Sequence, residues 1–171
     1  MKLWLAFFIG VFLIAPSTAE VFSQKRTITV MIFRHADKEE PVEGDDSEPD
    51  ISLDGQRRAL RLVGVLEKYK PMRLYSTRYA RAIETVTPLS RIKNLPIQFY
   101  EPGAMEKLVA EILSFTKRRR VAVVGHNSTA FQLVNLFLKE SKYTMPADSD
   151  YGKIWILRIK NGKVKDKVIV Y

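Results

Sequence analysis

The sequence contains no cysteine and only two histidines. Without cysteine the chain cannot form a disulfide or carry a lipid anchor on an N-terminal cysteine, so cysteine usage neither supports nor opposes export. No apolar run reaches the roughly 20 residues that a helix needs to span a bilayer. Internal repeats and long linkers are also absent, which favours one domain with one hydrophobic core.

Residues 1–19 predict a secretory signal peptide. Lys2 precedes an apolar stretch over residues 3–15, and Ser17 and Ala19 supply small side chains at the −3 and −1 positions of a cleavage site. This arrangement is typical of a signal that is removed during export. We therefore expect cleavage after Ala19 and a periplasmic or secreted domain of residues 20–171. Retention of the segment as an uncleaved anchor is the alternative.

Charge is unevenly distributed along the chain. The formal net charge is +9, yet residues 37–50 contain eight acidic side chains and one lysine. The basic remainder would attract anionic substrates. We interpret residues 37–50 as a surface loop near the mouth of a site, with charge screening of substrates or binding of a hard cation as alternatives. The basic run 117–120 predicts the solvated end of a helix, because no recognition-helix pattern or interleaved aromatic residues indicate nucleic-acid binding.

Strand-like and helix-like patterns alternate along the chain. Short apolar runs predict buried strands at 27–33, 73–76, 97–100 and 121–125. Apolar residues recurring at helical spacing predict helices over 52–69, 79–91, 105–113 and 128–139. Asn161-Gly162 between runs 154–160 and 163–171 predicts a tight hairpin. We therefore predict an α/β fold, a three-layer α/β/α sandwich whose mostly parallel sheet carries a C-terminal antiparallel hairpin at its edge.

Both histidines follow predicted buried strands. Arg34 and His35 end the run 27–33, and His126 ends the run 121–125. Ligands of open α/β sheets bind outside the carboxyl ends of the strands. Two imidazoles at that edge, one with an arginine alongside, indicate a site for an anion.

Four short motifs resemble the histidine phosphatase superfamily, which is also called phosphoglycerate-mutase-like. They are Arg34-His35-Ala36, Leu53-x-Gly55-x-x-x-Ala59, Ser76-Thr77-x-x-x-Arg81-Ala82-x-x-Thr85 and Gly125-His126. Each motif is short, but their order and spacing together are specific, and the resemblance spans residues 27–138. It implies a metal-independent phosphatase that uses no cofactor.

The resemblance also implies a role for each matching residue. His35 would be the nucleophile, because a neutral imidazole nitrogen can attack phosphorus and form a phosphohistidine. Arg34 and Arg81 would hold the phosphoryl oxygens with their planar forks of donors. His126 would donate a hydrogen bond to the transferring group. Apart from the resemblance, we expect Asn127 to bind the substrate, because it lies at a predicted helix start, where free backbone N–H groups favour anions.

The general acid that protonates the leaving group is not settled by the sequence. Many relatives carry a glutamate in a loop between the pocket arginine and the second histidine, but no segment of this chain matches that motif. Glu101 and Asp37 are equal candidates, and Glu106 is a third. Glu84 and Glu111 are expected to face outward from helices.

We expect a phosphomonoester hydrolase that acts through a phosphohistidine on small or exposed phosphate esters, whether small molecules or phosphoproteins. A non-catalytic anion-binding module on the same fold is the alternative. A phosphomutase is disfavoured, because it needs a phosphorylated cofactor and a cover that excludes water, and the chain between Arg81 and His126 is short. We expect no nucleic-acid partner and no stable membrane insertion after removal of the signal, and nothing in the sequence indicates an oligomeric state.

Overall fold

The computed structural model describes residues 27–40 and 48–171. The predicted signal peptide lies outside these residues, and so does the middle of the acidic segment. Within the described ranges, no helix is both long and apolar enough to cross a membrane.

A six-stranded mixed sheet forms the centre of the described structure. Its strands are β1 (Thr27–Arg34), β2 (Arg73–Ser76), β3 (Ile97–Phe99), β4 (Arg119–Gly125), β5 (Lys153–Lys160) and β6 (Lys163–Val170). In the order β3-β2-β4-β1-β5-β6, the first four strands are parallel, and β5 and β6 are antiparallel to their neighbours. The predicted mostly parallel sheet with an antiparallel C-terminal hairpin is thereby confirmed.

Four α-helices cover the two faces of the sheet. They are α1 (Leu53–Glu67), α2 (Ala80–Lys93), α3 (Met105–Ser114) and α4 (Asn127–Leu138), and a short 3-10 helix, Pro102–Ala104, precedes α3. Met31 and Phe33 of β1 pack under α1 and α2, whereas Ile28, Val30 and Ile32 pack under α3 and α4. Both faces of β1 are therefore buried, as expected for a central parallel strand, and the predicted three-layer arrangement is confirmed.

The tight hairpin between β5 and β6 is also confirmed. Asn161 and Gly162 have φ values of 51° and 75°, and Lys160 pairs directly with Lys163 across the turn. Positive φ at both central residues matches the right-handed twist of the strands, and asparagine followed by glycine adopts it at low cost.

The acidic segment 37–50 begins and ends beside the carboxyl end of β1. The N–H of Glu39 donates to the carbonyl of Asp50 over 3.0 Å, and the N–H of Ser52 donates to the carbonyl of Asp37 over 2.9 Å. Ser52 then caps α1 by accepting a hydrogen bond from the N–H of Gly55 over 3.1 Å. The capped helix therefore fixes both ends of the segment close to His35.

The basic run 117–120 is not the end of a helix, and that prediction is wrong. Helix α3 ends at Ser114, and Arg119 and Arg120 are the first residues of β4. They pair in parallel with Ile28 and Thr29 of β1. Because this end of the strands lies at the rim of the sheet, the long side chains reach solvent while the backbone joins the ladder.

Candidate active site

His35 and His126 are brought together by neighbouring parallel strands. His35 follows β1, and its N–H donates to the carbonyl of Gly125, the last residue of β4, over 2.9 Å. His126 follows Gly125 directly, and the centroids of the two imidazole rings are 5.5 Å apart. The carboxyl edge of the sheet therefore holds both histidines, as their positions after the two strands predicted.

The imidazole of His35 is fixed in one tautomer. Its Nδ1 lies 2.8 Å from the carbonyl oxygen of Ala36, and since a carbonyl only accepts, Nδ1 carries the proton and Nε2 keeps a lone pair. The pKa of His35 is lowered to about 3, mainly by burial; the hydrogen bond to Ala36 opposes this change, while the charges of Arg34 and Arg81 add to it. At neutral pH the ring is uncharged and can act as a nucleophile.

The loop after His35 is tied to the start of α2. The N–H of Ala36 donates to Oγ1 of Thr85 over 2.8 Å, and that hydroxyl donates to the carbonyl of Arg81 over 2.7 Å. Thr85 is fully buried. The motif that joins Arg81 and Thr85 therefore places the arginine of α2 in a defined position relative to His35.

Arg34 is held by the 139–152 connection between α4 and β5. Its Nη1 donates to the carbonyl of Asp148 over 2.7 Å, and its Nη2 donates to the hydroxyl of Tyr151 over 3.2 Å. The guanidinium carbon lies 4.1 Å from the centroid of the Tyr151 ring, within the range of a cation–π interaction. The side chain is only 9% exposed, so Arg34 is fixed before any substrate binds.

Arg81 reaches the same place from the first turn of α2. Its Nη1 forms an ion pair with Glu48, at the end of the acidic segment, and its guanidinium carbon lies 4.8 Å from the ring centroid of Tyr79. The Glu48 side chain is 56% exposed. An entering phosphate can therefore replace this carboxylate on the guanidinium.

His126 stands at the start of α4 and is held on two sides. Its Nε2 lies 2.8 Å from Oγ1 of Thr77, and its ring packs edge-on against Tyr79 with centroids 4.8 Å apart. The pKa of His126 is lowered to about 4, mainly by burial; the charges of Arg81 and Arg34 add to this change, and Glu48 opposes it. This second imidazole is therefore also neutral at neutral pH.

An open cavity of about 420 Å³ collects these groups. Its lining includes every residue predicted to bind or attack the substrate, namely Arg34, His35, Arg81, His126 and Asn127. Asn127 begins α4, where the first N–H groups have no partner within the helix, and its Nδ2 donates to Asp148 and to the carbonyl of Pro146. Within the described ranges no group of three or more acidic or histidine side chains could hold a metal ion.

None of the acids proposed from the sequence lines this cavity. Arg58 donates to both carboxylate oxygens of Asp37. Burial by itself raises the pKa of Asp37, but the hydrogen bonds and charge of Arg58 outweigh it and lower the pKa below its usual value. Glu101 is exposed on the turn before the 3-10 helix, and Glu106 lines a separate depression beside α4. Among the residues that the structure describes, the carboxylates that line the cavity are those of Glu48 and Asp148.

Sequence reasoning missed four residues that shape the site. Thr77 and Tyr79 lie in or beside the motif that contains Arg81, so the motif itself was a usable signal. Asp148 and Tyr151 lie in the 139–152 connection, which shows no periodic pattern and no motif. They contact Arg34 only because β5 pairs with β1, a relationship that the sequence does not display.

Comparison with known protein families agrees with this geometry. The family model described as Histidine phosphatase superfamily (branch 1) matches residues 30–102, a range that contains Arg34, His35 and Arg81. The match confirms the resemblance recognised in the sequence and supports a phosphatase activity. A search of curated proteins found no match.

Solved structures of phosphatases share this fold. The protein histidine phosphatase SixA complexed with tungstate matches with a TM-score of 0.67 and 19% identity, over 83% of this chain and 96% of that one. The proposed phosphohistidine phosphatase SixA from Agrobacterium tumefaciens gives 0.66 and 19%, over 84% and 98%. A mycobacterial glucosyl-3-phosphoglycerate phosphatase gives 0.66 and 15%, over 85% and 99%. At these identities the likeness establishes the histidine phosphatase fold.

Proposed function

We propose that this chain, which matches the histidine phosphatase superfamily over residues 30–102, hydrolyses phosphate monoesters through a phosphohistidine on His35. The observation that carries the proposal is the neutral, Nδ1-protonated imidazole of His35, which shares one cavity with Arg34 and Arg81. A nucleophilic nitrogen beside two guanidinium forks is suited to accept a phosphoryl group, which needs positioning and charge stabilisation above all.

The reaction proceeds in two displacement steps. The lone pair on Nε2 of His35 attacks phosphorus, the bond from phosphorus to the ester oxygen breaks, and the leaving alkoxide takes up a proton. Water then attacks the phosphohistidine and gives one proton back to the group that protonated the alkoxide; the bond from phosphorus to Nε2 breaks, its electron pair returns to Nε2, and inorganic phosphate leaves. As the ring becomes positively charged, the hydrogen bond from Nδ1 to the carbonyl of Ala36 strengthens. The backbone thereby stabilises the intermediate.

The remaining groups of the cavity stabilise the transferring phosphoryl group. Arg34 is fixed in advance by Asp148 and Tyr151, so it needs no reorganisation during the reaction. Arg81 exchanges the carboxylate of Glu48 for phosphoryl oxygens. His126, Asn127 and the free N–H groups at the start of α4 complete the set of donors.

The shape of the cavity supports small or exposed phosphate esters as substrates. The cavity of about 420 Å³ is open, and it is lined mainly by groups suited to one phosphoryl group. The described structure places little wall around the rest of a substrate. Phosphorylated metabolites and phosphorylated side chains at a protein surface both fit this description.

A second candidate substrate is a phosphorylated histidine of another protein. In the described part of the chain, the two carboxylates that line the cavity both have partners, Glu48 with Arg81 and Asp148 with Asn127. A phosphohistidine expels an imidazole, a weaker base than an alkoxide, so its hydrolysis depends less on a general acid. A fixed carboxylic acid would then be dispensable.

The two histidines of the chain allow a direct test. Purified protein is incubated with a ³²P-labelled aryl phosphate and quenched in alkali, where phosphohistidine survives. Because the chain has no other histidine, label on imidazole can reside only on His35 or His126. We expect label in the wild type and in His126→Gln, and none in His35→Gln, with circular dichroism to verify folding.

The outcomes separate the proposed function from its alternatives. Label retained in folded His35→Gln would assign the nucleophile to His126 and overturn the mechanism. Phosphate binding without label or turnover in the wild type would favour the non-catalytic anion-binding module. Transfer of the label to a second metabolite in preference to water would indicate a mutase.

The location of the protein forms part of the proposal. We propose export to the periplasm or to the medium with cleavage after Ala19, based on the residues that precede the site. N-terminal sequencing of the protein from each cell fraction tests this. A first residue of Glu20 is expected, whereas an intact N-terminus in the membrane fraction would identify a retained anchor.

A further inference from the structure

A second cavity, of about 650 Å³, lies at the opposite end of the sheet from His35, where β1 and β4 begin. We name it the basic cavity, because six cationic side chains line it: Lys68, Arg118, Arg120, Arg158, Lys165 and Lys167. Thr29, which also lines the basic cavity, lies six positions before His35 in the chain, a distance of roughly 20 Å along a strand. The two cavities are therefore separate sites.

Strand register places part of this charge in one row across the sheet. Arg120 of β4 pairs with Thr29 of β1, Thr29 pairs with Arg158 of β5, and Arg158 pairs with Lys165 of β6. Paired residues point to the same face, and neighbouring strands are about 4.8 Å apart. Like charges directly opposite each other in a sheet are destabilising. The fold therefore tolerates a repulsion that a bound anion would relieve.

The cations of the basic cavity have no counter-ion within the described part of the chain. None of the six forms an ion pair there. The one carboxylate at the rim, Asp166, is already engaged by Lys142 and by the hydroxyl of Tyr143. The positive charge of the cavity is thus available to a ligand.

The basic cavity is also partly preorganised. Nε of Arg120 donates to the carbonyl of Lys70 over 2.6 Å, which anchors the guanidinium and leaves its two Nη groups for other acceptors. Ile156 is 5% exposed and forms an apolar floor, while Thr27 and Thr29 add half-buried hydroxyl groups. Helix α1 ends at Glu67 and does not extend over this part of the sheet.

We propose that the basic cavity binds a small soluble polyanion that carries several linked phosphoryl groups. Three strand spacings extend the cationic row over roughly 14 Å, which exceeds the reach of a single phosphate. A concave site matches a compact polyphosphate better than the flat surface of a bilayer. The proposal concerns a site remote from His35 and does not depend on the proposed catalytic activity.

Inorganic tripolyphosphate is the probe, titrated calorimetrically into the purified full-length protein at low and at physiological salt. The test variant is Arg158→Gln/Lys165→Gln, and the matched control is Arg91→Gln/Lys107→Gln, which removes the same charge from exposed helix positions outside both cavities. We expect the test variant to weaken binding at least about tenfold, because each contact is charge-assisted, and the control to change it less than twofold. Turnover of an aryl phosphate should be unchanged in both.

Three results would overturn the proposal. An equal loss of affinity in test and control variants would indicate attraction by net charge alone. Loss of binding in Arg81→Gln with retention in the test variant would place tripolyphosphate in the catalytic cavity. Binding of anionic lipid vesicles or of a single-stranded oligonucleotide that depends on Arg158 and Lys165, without tripolyphosphate binding, would assign the surface to a different class of partner.

Discussion

The imidazole rings of His35 and His126 lie with their centroids 5.5 Å apart, and burial holds the pKa values of both far below that of free histidine. Among the described residues, the positive charge of the cavity therefore comes from Arg34, Lys38 and Arg81, while the imidazoles stay neutral. A phosphate dianion that enters the cavity opposes the lowering of the histidine pKa values, because its negative charge favours protonated imidazole. Substrate binding is thus expected to raise the pKa of His126 and to strengthen it as a donor.

The replacement Arg81→Lys is expected to lower kcat/KM for an aryl phosphate by about 10²–10³-fold. A single ammonium cannot reproduce the planar pair of donors that the guanidinium presents to phosphoryl oxygens. Steady-state kinetics measures the loss. Arg78→Lys is the matched control, because Arg78 lies nearby, is exposed, and packs over Phe99 outside the cavity. If kcat/KM falls less than threefold in Arg81→Lys, Arg81 does not contact the phosphoryl group during the reaction.

The stability of the protein is expected to fall as the pH drops from about 6.5 toward 4. Below pH 6.5 the unfolded chain protonates its histidines, whereas folded His35 and His126, with pKa values of about 3 and 4, do not. The unfolded state then binds more protons, so the free energy of unfolding declines by up to about 1.4 kcal/mol per pH unit for each proton. His126 is less deeply buried and contributes the smaller share.

Urea unfolding between pH 5 and 7.5 measures this slope. Asp37 interferes little, because its pKa is lowered on folding, so its contribution is lost as the pH falls from the ordinary aspartate pKa of about 3.9 toward the lower folded value, outside the measured range. In the variant His35→Gln, the free energy of unfolding should depend less steeply on pH, by up to the contribution of one proton, about 1.4 kcal/mol per pH unit. A free energy of unfolding that stays constant from pH 5 to 6.5 in the wild type would contradict the burial of neutral imidazoles.

Glycine at position 55 is expected to be essential for the loop that carries His35. A Cβ atom there would lie 2.1 Å from the carbonyl oxygen of Asp37 and 2.9 Å from Cβ of Ile51, so Gly55→Ala must displace backbone. We expect a loss of about 1–3 kcal/mol in the free energy of unfolding, together with reduced turnover. Thermal and urea unfolding measure the first effect.

Gly64→Ala is the matched control on the same helix. A Cβ atom at Gly64 meets nothing within 4 Å, and alanine restricts the unfolded chain, so a gain of about 0.4–1 kcal/mol is expected. Equal effects of the two replacements would show that the contact with Asp37 does not constrain the loop.

The fold and the centre of the site could be predicted from the sequence because both depend on local patterns. Strand ends placed His35 and His126 at one edge of the sheet, and a motif on α2 supplied Arg81. The hydrogen bonds that Arg34 donates to Asp148 and Tyr151 could not be predicted. These two residues lie near Arg34 only because β5 pairs with β1. Nor did the sequence show that Arg58 holds Asp37 away from the cavity. Contacts between segments that are distant in the chain carry no local signature.

We propose Glu48 as the proton donor to the leaving group, because it lines the cavity and its carboxylate is released when a phosphate takes its place on Arg81. Alkyl phosphates expel a basic alkoxide and depend on this proton, whereas aryl phosphates expel a weakly basic phenolate. We therefore expect Glu48→Gln to slow an alkyl phosphate at least about tenfold more than an aryl phosphate, since acid catalysis is commonly worth about 10²–10⁴-fold. The rates are compared where phosphorylation of His35 limits turnover.

Glu101→Gln is the matched control for Glu48→Gln, because Glu101 is exposed and does not line the cavity. It should change the rates of alkyl and aryl phosphates only slightly and by the same factor.

The aryl phosphate also shows what loss of the negative charge does by itself, because its leaving group needs little protonation. Removal of the Glu48 carboxylate frees Arg81, so the aryl rate should stay the same or rise. If Glu48→Gln changes the rates of both substrates by the same factor, Glu48 does not donate the proton and acts only through Arg81. The same comparison with Asp148→Asn then decides between the second carboxylate of the cavity and water as the source of the proton.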